Sequence, residues 1–188
     1  MDKCAKCGGE GRMQPIDRYQ PRKELMGGMQ IELVNVVTAL VCEKCGTTLR
    51  ADIPDMPGLI AAVSVARAAK QPLKLSGPEI RFLRKAIGKS AKELAEDLRV
   101  TDETVSRWEN GHLLMGEHIE RIFRWTVCDE LGDRTAIEWD HDEVLKKMNI
   151  VSVSARPLVM YFNRPEPDQK RRGRAQPQRY VEEQRKAA

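Results

Sequence analysis

Two copies of one five-residue device, Cys4-Ala-Lys-Cys7-Gly8 and Cys42-Glu-Lys-Cys45-Gly46, constrain this chain more than anything else in it. A pair of cysteines three apart grips one side of a tetrahedral ion, and four thiolates close the shell as a structural zinc site. The glycine behind each second cysteine lets the backbone turn sharply. Cys4, Cys7, Cys42 and Cys45 are therefore expected to hold one structural Zn2+. The gap between the halves exceeds the ~15–20 residues usual for this arrangement, and its composition explains why. Residues 29–41 are rich in β-branched side chains and read as a strand entering the second knuckle. Residues 13–19 read as its partner, with the polar stretch 20–28 as a long hairpin loop. A catalytic zinc would keep an open position, and no histidine or carboxylate accompanies the knuckles. A redox dithiol needs only one such pair, normally within a βαβ unit. The expected module is a zinc ribbon over residues 1–56, in which the metal builds rather than reacts.

A second stretch, residues 90–111, reads as two short helices and a tight turn. Ala91, Leu94, Ala95 and Leu98 recur at the spacing of one helix face. Ser90 precedes them with Glu93 three residues on, a capping box. Thr101 repeats the start signal, and Asp102 and Glu103 suit the positive end of the helix dipole. Val105 and Trp108 face inward, and Gly111 stops the second helix. Such a pair is a helix-turn-helix; its plain alternative is an αα-hairpin in a bundle. In a helix-turn-helix the second helix lays its N-terminal residues on base edges in the major groove. Asp102, Glu103, Ser106 and Arg107 are left facing outward for that task. Arg107 is the natural reader of guanine, whose O6 and N7 accept a guanidinium together. Lys89, Ser90, Lys92 and Thr101 are expected on phosphates.

This second stretch resembles the phage-repressor-like (Cro/C1, or XRE) helix-turn-helix family at Glu93–Ala95, Val100 and Val105–Gly111. The resemblance implies a five-helix DNA-binding domain, usually dimeric on double-stranded DNA. Arg99 departs from it, standing where the family usually has a turn glycine, so a non-glycine residue must carry a left-handed or distorted backbone. Two CxxCG knuckles followed by this kind of helix-turn-helix also resemble the zinc-finger/helix-turn-helix regulators of the YgiT/MqsA type, over roughly residues 1–131. That second resemblance implies a transcriptional regulator, expected here to be a dimeric repressor. The alternative it carries is an antitoxin or adaptor whose zinc ribbon holds a partner protein such as a toxin.

Charge is unevenly placed. The net charge is +4, and the stretch from Arg164 onward, with twice as many basic as acidic residues, accounts for all of it. Residues 76–131 are slightly acidic, so DNA affinity, which rests on neutralised phosphates, must come from a local basic face (Lys89, Lys92, Arg99, Arg107) doubled by a second copy. The 188 residues, 41% hydrophobic and 32% charged, suit a soluble chain with a modest core. The apolar run near residues 56–69 is too short and interrupted to span a bilayer. No basic-then-apolar leader is seen, which points to the cytoplasm and reduced cysteines. No nucleophile–base pair, phosphate loop or open metal site is visible, so no catalytic residue and no enzyme is expected.

The fold expected is mainly α with a small β zinc ribbon, a five-helix helix-turn-helix domain and a short C-terminal extension. A small-residue helix over 58–70, buried on more than one side, lies in a linker (57–75). The helix-turn-helix domain (76–131) continues with a stripe of Ile80, Leu83 and Ile87. Its last helix, 117–131, is expected to pack through Ile119, Ile122, Phe123, Thr126 and Val127. An extension (132–163) contributes a short helix near 140–148 and strands at 150–155 and 158–162, which either cover the core or pair with a second copy. Residues 164–188 read as a basic, coreless tail whose KRRGR cluster either touches phosphates or is simply solvated. Cys128 reads as a small core residue, and His112, His118 and His141 lack ligand spacing.

Overall fold

The computed structural model describes residues 3–151, 159–164 and 180–182. The expected hairpin is present: β1 (Gly11–Tyr19) and β2 (Gln30–Cys42) run antiparallel, with Met13 opposite Leu40 and Tyr19 opposite Leu33. β-Branched and apolar residues along β2 supply the reason, since Ile31, Leu33, Val37 and Ala39 alternate onto a buried face. The loop between the strands is itself structured. Lys23–Met26 forms a 3-10 turn, Met26 is wholly buried, and Gly27 and Gly28 end the turn at φ 63° and 83°.

β2 is long enough to serve two neighbours on its other edge. β3 (Thr48–Asp52) pairs antiparallel with residues 38–41, and β4 (Val159–Asn163) pairs parallel with residues 30–33. β5 (Val181–Glu182) adds to β4, giving the order β1-β2-β4-β5 with β3 also on β2. The sheet is thus larger than a ribbon. Of the two roles open to the C-terminal strands, covering the core is the one seen: Met160 and Phe162 are buried within this chain. Val151 makes only an isolated bridge to Leu73, and the remainder of the strand expected at 150–155 lies outside the described residues.

The expectation of a coreless tail from Arg164 does not hold at Tyr180. That ring is fully buried, and its hydroxyl donates to the Pro54 carbonyl. A tyrosine within a polar, proline-rich context gave no periodic signal for this. Residues 165–179, with the KRRGR cluster, lie outside the described residues.

Helix α1 (Met56–Lys70) begins earlier than its sequence suggests, because Asp55 caps it, accepting from the Gly58 N–H at 3.0 Å, and Pro57 is tolerated in its first turn. Leu59 and every residue from Ala61 through Ala68 are buried, as its small residues imply, while Ile60 is half-buried. Then follow α2 (Gly77–Ala86), α3 (Ala91–Asp97), α4 (Asp102–Glu109) and α5 (Glu117–Leu131). A π-type turn (Glu143–Lys147) occupies the position of the expected helix near 140–148.

The face of α5 is rotated from its expected setting. Phe123, Val127, Cys128 and Leu131 are buried together with Glu120 and Arg124, whereas Ile122 is 42% exposed. Glu120 and Arg124 lie outside the expected packing face of Ile119, Ile122, Phe123, Thr126 and Val127, yet they are buried because they pair with each other inside the protein. One continuous apolar core joins the sheet residues Ile31, Leu33 and Phe162 to those of the helices.

Candidate metal centre and nucleic-acid interface

The two knuckles fold as near copies. Gly8 and Gly46 share φ 69°, and each donates its N–H to the first cysteine carbonyl of its own knuckle at 2.8 Å. This places Cys4 Sγ 3.6 Å from Cys45 Sγ and Cys7 Sγ 3.4 Å from Cys42 Sγ. All four sulfurs lie within 4.8 Å of one another. A tetrahedron with Zn–S bonds of ~2.3 Å has edges of ~3.8 Å, so the sulfurs are spaced on the scale such an ion requires. Thr47 favours the thiolate at Cys45: its hydroxyl lies 3.2 Å from Sγ, and with its backbone N–H it brings the Cys45 pKa down to about 6. The four cysteines form a cluster able to bind a metal ion. Cys128 is unlike them, fully buried, with burial pushing its thiol up to about 12.

The α3–α4 unit follows the sequence closely. The Ser90 hydroxyl accepts from the Glu93 N–H at 3.2 Å, and the Glu93 carboxylate accepts from the Ser90 N–H at 2.7 Å, closing the capping box. Thr101 caps α4, accepting from the Thr104 N–H at 3.2 Å. Arg99 adopts the left-handed backbone expected of it, at φ 53°, and Gly111 ends the unit at φ 73°. Val105 and Trp108 are 0% and 4% exposed, a burial worth about 1.5–3 kcal/mol each.

The outward residues divide into engaged and open groups. Asp102, Glu103, Ser106 and Arg107 are all exposed on α4. Asp102 Oδ1 accepts from the Glu103 N–H at 2.9 Å, and Arg107 Nε stands 3.7 Å from Glu103 across one helical turn. Lys92 is exposed, whereas Lys89 is bound to Asp97. Of the two lysines expected on phosphates, Lys92 is the one without an ion pair among the described residues. The hydroxyls of Ser90 and Thr101 both accept as caps, and that of Thr101 also lies 2.9 Å from the Thr104 hydroxyl.

Two arginine–glutamate clusters support this face, and sequence reasoning missed both. Glu109, at the C-terminal end of α4, receives Arg84 Nε at 2.6 Å and Arg81 Nε at 3.0 Å, while Arg81 Nη2 donates to Asn110 at 2.9 Å. Gly77 allows this closeness, since a Cβ there would lie 2.5 Å from the Glu109 carbonyl oxygen. Burial disfavours charge on Glu109, but the hydrogen bonds from Arg84 and Arg81 prevail and hold its pKa below the usual value.

The second cluster joins α1 to α2 and α5. Arg67 Nε donates to Glu79 at 2.6 Å. Arg124, fully buried, donates to the carbonyls of Arg67 and Ala68 at 3.1 Å and of Gln71 at 2.8 Å while pairing with Glu120 at 2.9 Å. Burial lowers the Arg124 pKa to about 10, which leaves it charged at neutral pH. The signal available in the sequence was the Glu120–Arg124 spacing beside Phe123 and Val127.

Residues 80–124 match the protein family described as helix-turn-helix. That match spans α2 from Ile80 through most of α5, and with the geometry above it defines an XRE-type helix-turn-helix domain. Comparison with curated proteins and with solved structures gives no match. At the general level, the chain is a DNA-binding regulator carrying a four-cysteine cluster near its N-terminus. No helix among the described residues is long and apolar enough to cross a membrane.

Proposed function

We propose that the chain is a sequence-specific transcriptional regulator that binds double-stranded DNA as a homodimer and represses, with one Zn2+ held by Cys4, Cys7, Cys42 and Cys45 as a structural element. One observation carries the reading. α4 presents Ser106 and Arg107 to solvent while Val105 and Trp108 lock its other side into the core. A recognition helix requires this division between a rigid buried side and an open polar side. Arg107 would take guanine O6 and N7, with Asp102, Glu103 and Ser106 on neighbouring base edges. Lys89, Ser90, Lys92 and Thr101 would set the register on phosphates; Lys89 would have to exchange Asp97 for phosphate.

Zinc would act by tying the ends of β1 and β2 together, stabilising the folded ribbon by its binding free energy. The reading is tested with Arg107→Ala, which should cost ~1–3 kcal/mol on the preferred site and relax specificity at one base. Equal loss on the preferred site and on random DNA would remove Arg107 from base reading. Cytoplasmic location follows from the same role.

A further inference from the structure

A groove of roughly 770 Å3 runs between the hairpin loop of the cysteine module and helix α2 of the helix-turn-helix domain. It exists because the loop is seated directly on α2. A Cβ on Gly27 would come 2.5 Å from Phe82 Cβ and 3.0 Å from the Pro78 carbonyl oxygen, so only glycine permits the contact. Beside that contact the two elements diverge and leave the groove.

Its walls combine two chemistries. Leu25, Ile60 and Phe82 supply apolar surface, and Lys23, Arg81 and Lys85 supply positive charge. Leu25 is 59% exposed, a large apolar side chain at the mouth of a concave surface. Among the described residues neither Lys23 nor Lys85 makes an ion pair. Of the two acids at the groove, Glu109 is already held by Arg81 and Arg84, which leaves Glu24 against two unpaired lysines. The volume falls in the ~300–1,000 Å3 range of small-molecule sites, which pair apolar walls with a few placed polar groups.

The geometry points to this groove as a binding site for a small amphipathic carboxylic acid. The apolar body lies against Leu25, Ile60 and Phe82, and the carboxylate sits among Lys23, Lys85 and Arg81. Charge complementarity selects the anion over a neutral or cationic analogue of the same shape. Arg81 gives the site its consequence, because the same guanidinium holds Glu109 and Asn110 at the end of α4. A carboxylate drawing on Arg81 competes with those two acceptors. Ligand occupancy and the setting of α4 are then linked, and linkage is reciprocal. The effect on DNA affinity rests on the function proposed above; the binding itself does not.

The test is a titration of the metal-loaded, 15N-labelled full chain followed by two-dimensional NMR, without DNA. The probes are decanoate and naphthalene-2-carboxylate, with 1-decanol as the neutral control. The expected result is saturable shifts at the Leu25, Gly27, Phe82 and Lys85 amides with at least one acid. The Arg81 Nε–H and the Asn110 side-chain amide should move with them, and decanol should bind at least tenfold more weakly. Leu25→Glu and Lys85→Glu, both at exposed positions, should each weaken the acid at least tenfold with the remaining spectrum unchanged. The proposal is overturned if neither acid gives saturable shifts there up to millimolar concentration. It is equally overturned if decanol binds as well as decanoate, or if both variants bind like the parent chain. A chain that selects no DNA site yet passes this titration would refute the regulator reading and leave the groove standing.

Discussion

At the residue scale, the side chains that matter most outside the cysteines are a buried glutamate and an arginine bent into an unusual backbone. Glu109 is the acceptor that ties α4 to α2 through Arg81 and Arg84. Removing one member of a buried pair strands the other charges, so Glu109→Gln should destabilise the domain by about 3 kcal/mol at pH 7, read from urea unfolding. The pH dependence follows from the sign of its shift. The folded pKa of Glu109 lies below 4.5, and that of Glu79, where the Arg67 hydrogen bond overcomes burial, does too. Their contribution is therefore complete above the ordinary carboxylate range and is lost as pH falls through it and below. The deficit of Glu109→Gln should shrink when the comparison is repeated near pH 3; a deficit constant with pH would contradict the charged pairing.

Arg99 makes a prediction of opposite sign. Its φ of 53° costs a non-glycine residue about 1 kcal/mol, so Arg99→Gly should raise stability slightly despite glycine's entropy. A loss of stability would mean that the arginine side chain contributes more than its backbone costs.

At the element scale, periodicity and caps made most of the architecture legible. The β1–β2 hairpin follows from the β-branched run before Cys42, and α3 and α4 begin at Ser90 and Thr101 as the capping pattern requires. Such signals are local, and each can be read within one turn or one strand. What was not legible depends on partners distant in the chain. The setting of α5 was misjudged because Glu120 and Arg124 look solvent-facing until Arg124 meets the carbonyls at the end of α1, more than fifty residues earlier. The parallel pairing of β4 with β2 has the same character, since no local pattern in residues 159–163 indicates which strand it will join. The cysteine cluster was legible in its four members, and only the matching knuckle geometry required the fold. Cys42→Ser should leave the chain unable to hold one metal ion per chain and should melt the ribbon first. Metal analysis with circular dichroism before and after chelation checks this, and a ribbon that keeps its strands without metal would contradict a structural role.

At the scale of the whole molecule, the chain closes on itself through its C-terminal strands. Tyr180 is buried and reaches Pro54 at the exit of the cysteine module, while β5 extends the sheet through β4. Tyr180→Ala should cost about 3–5 kcal/mol, as large aromatic truncations in cores do, and thermal unfolding would measure it. A cost below 1 kcal/mol would show that this end of the chain is dispensable. Arg67 and Arg124 fasten α1 to both α2 and α5, so the segment that read as a linker is hydrogen-bonded to two helices of the helix-turn-helix region.

All of this geometry converges on one claim, that α4 reads DNA sequence. It is tested most directly by selecting bound sites from random duplex DNA with metal-loaded protein, then remeasuring the winners with Arg107→Ala across a salt series. The account predicts a two-fold symmetric site whose preference weakens in the variant while the salt slope stays nearly unchanged. Recovery of no preferred site, with only salt-sensitive binding that Arg107→Ala leaves intact, would contradict it.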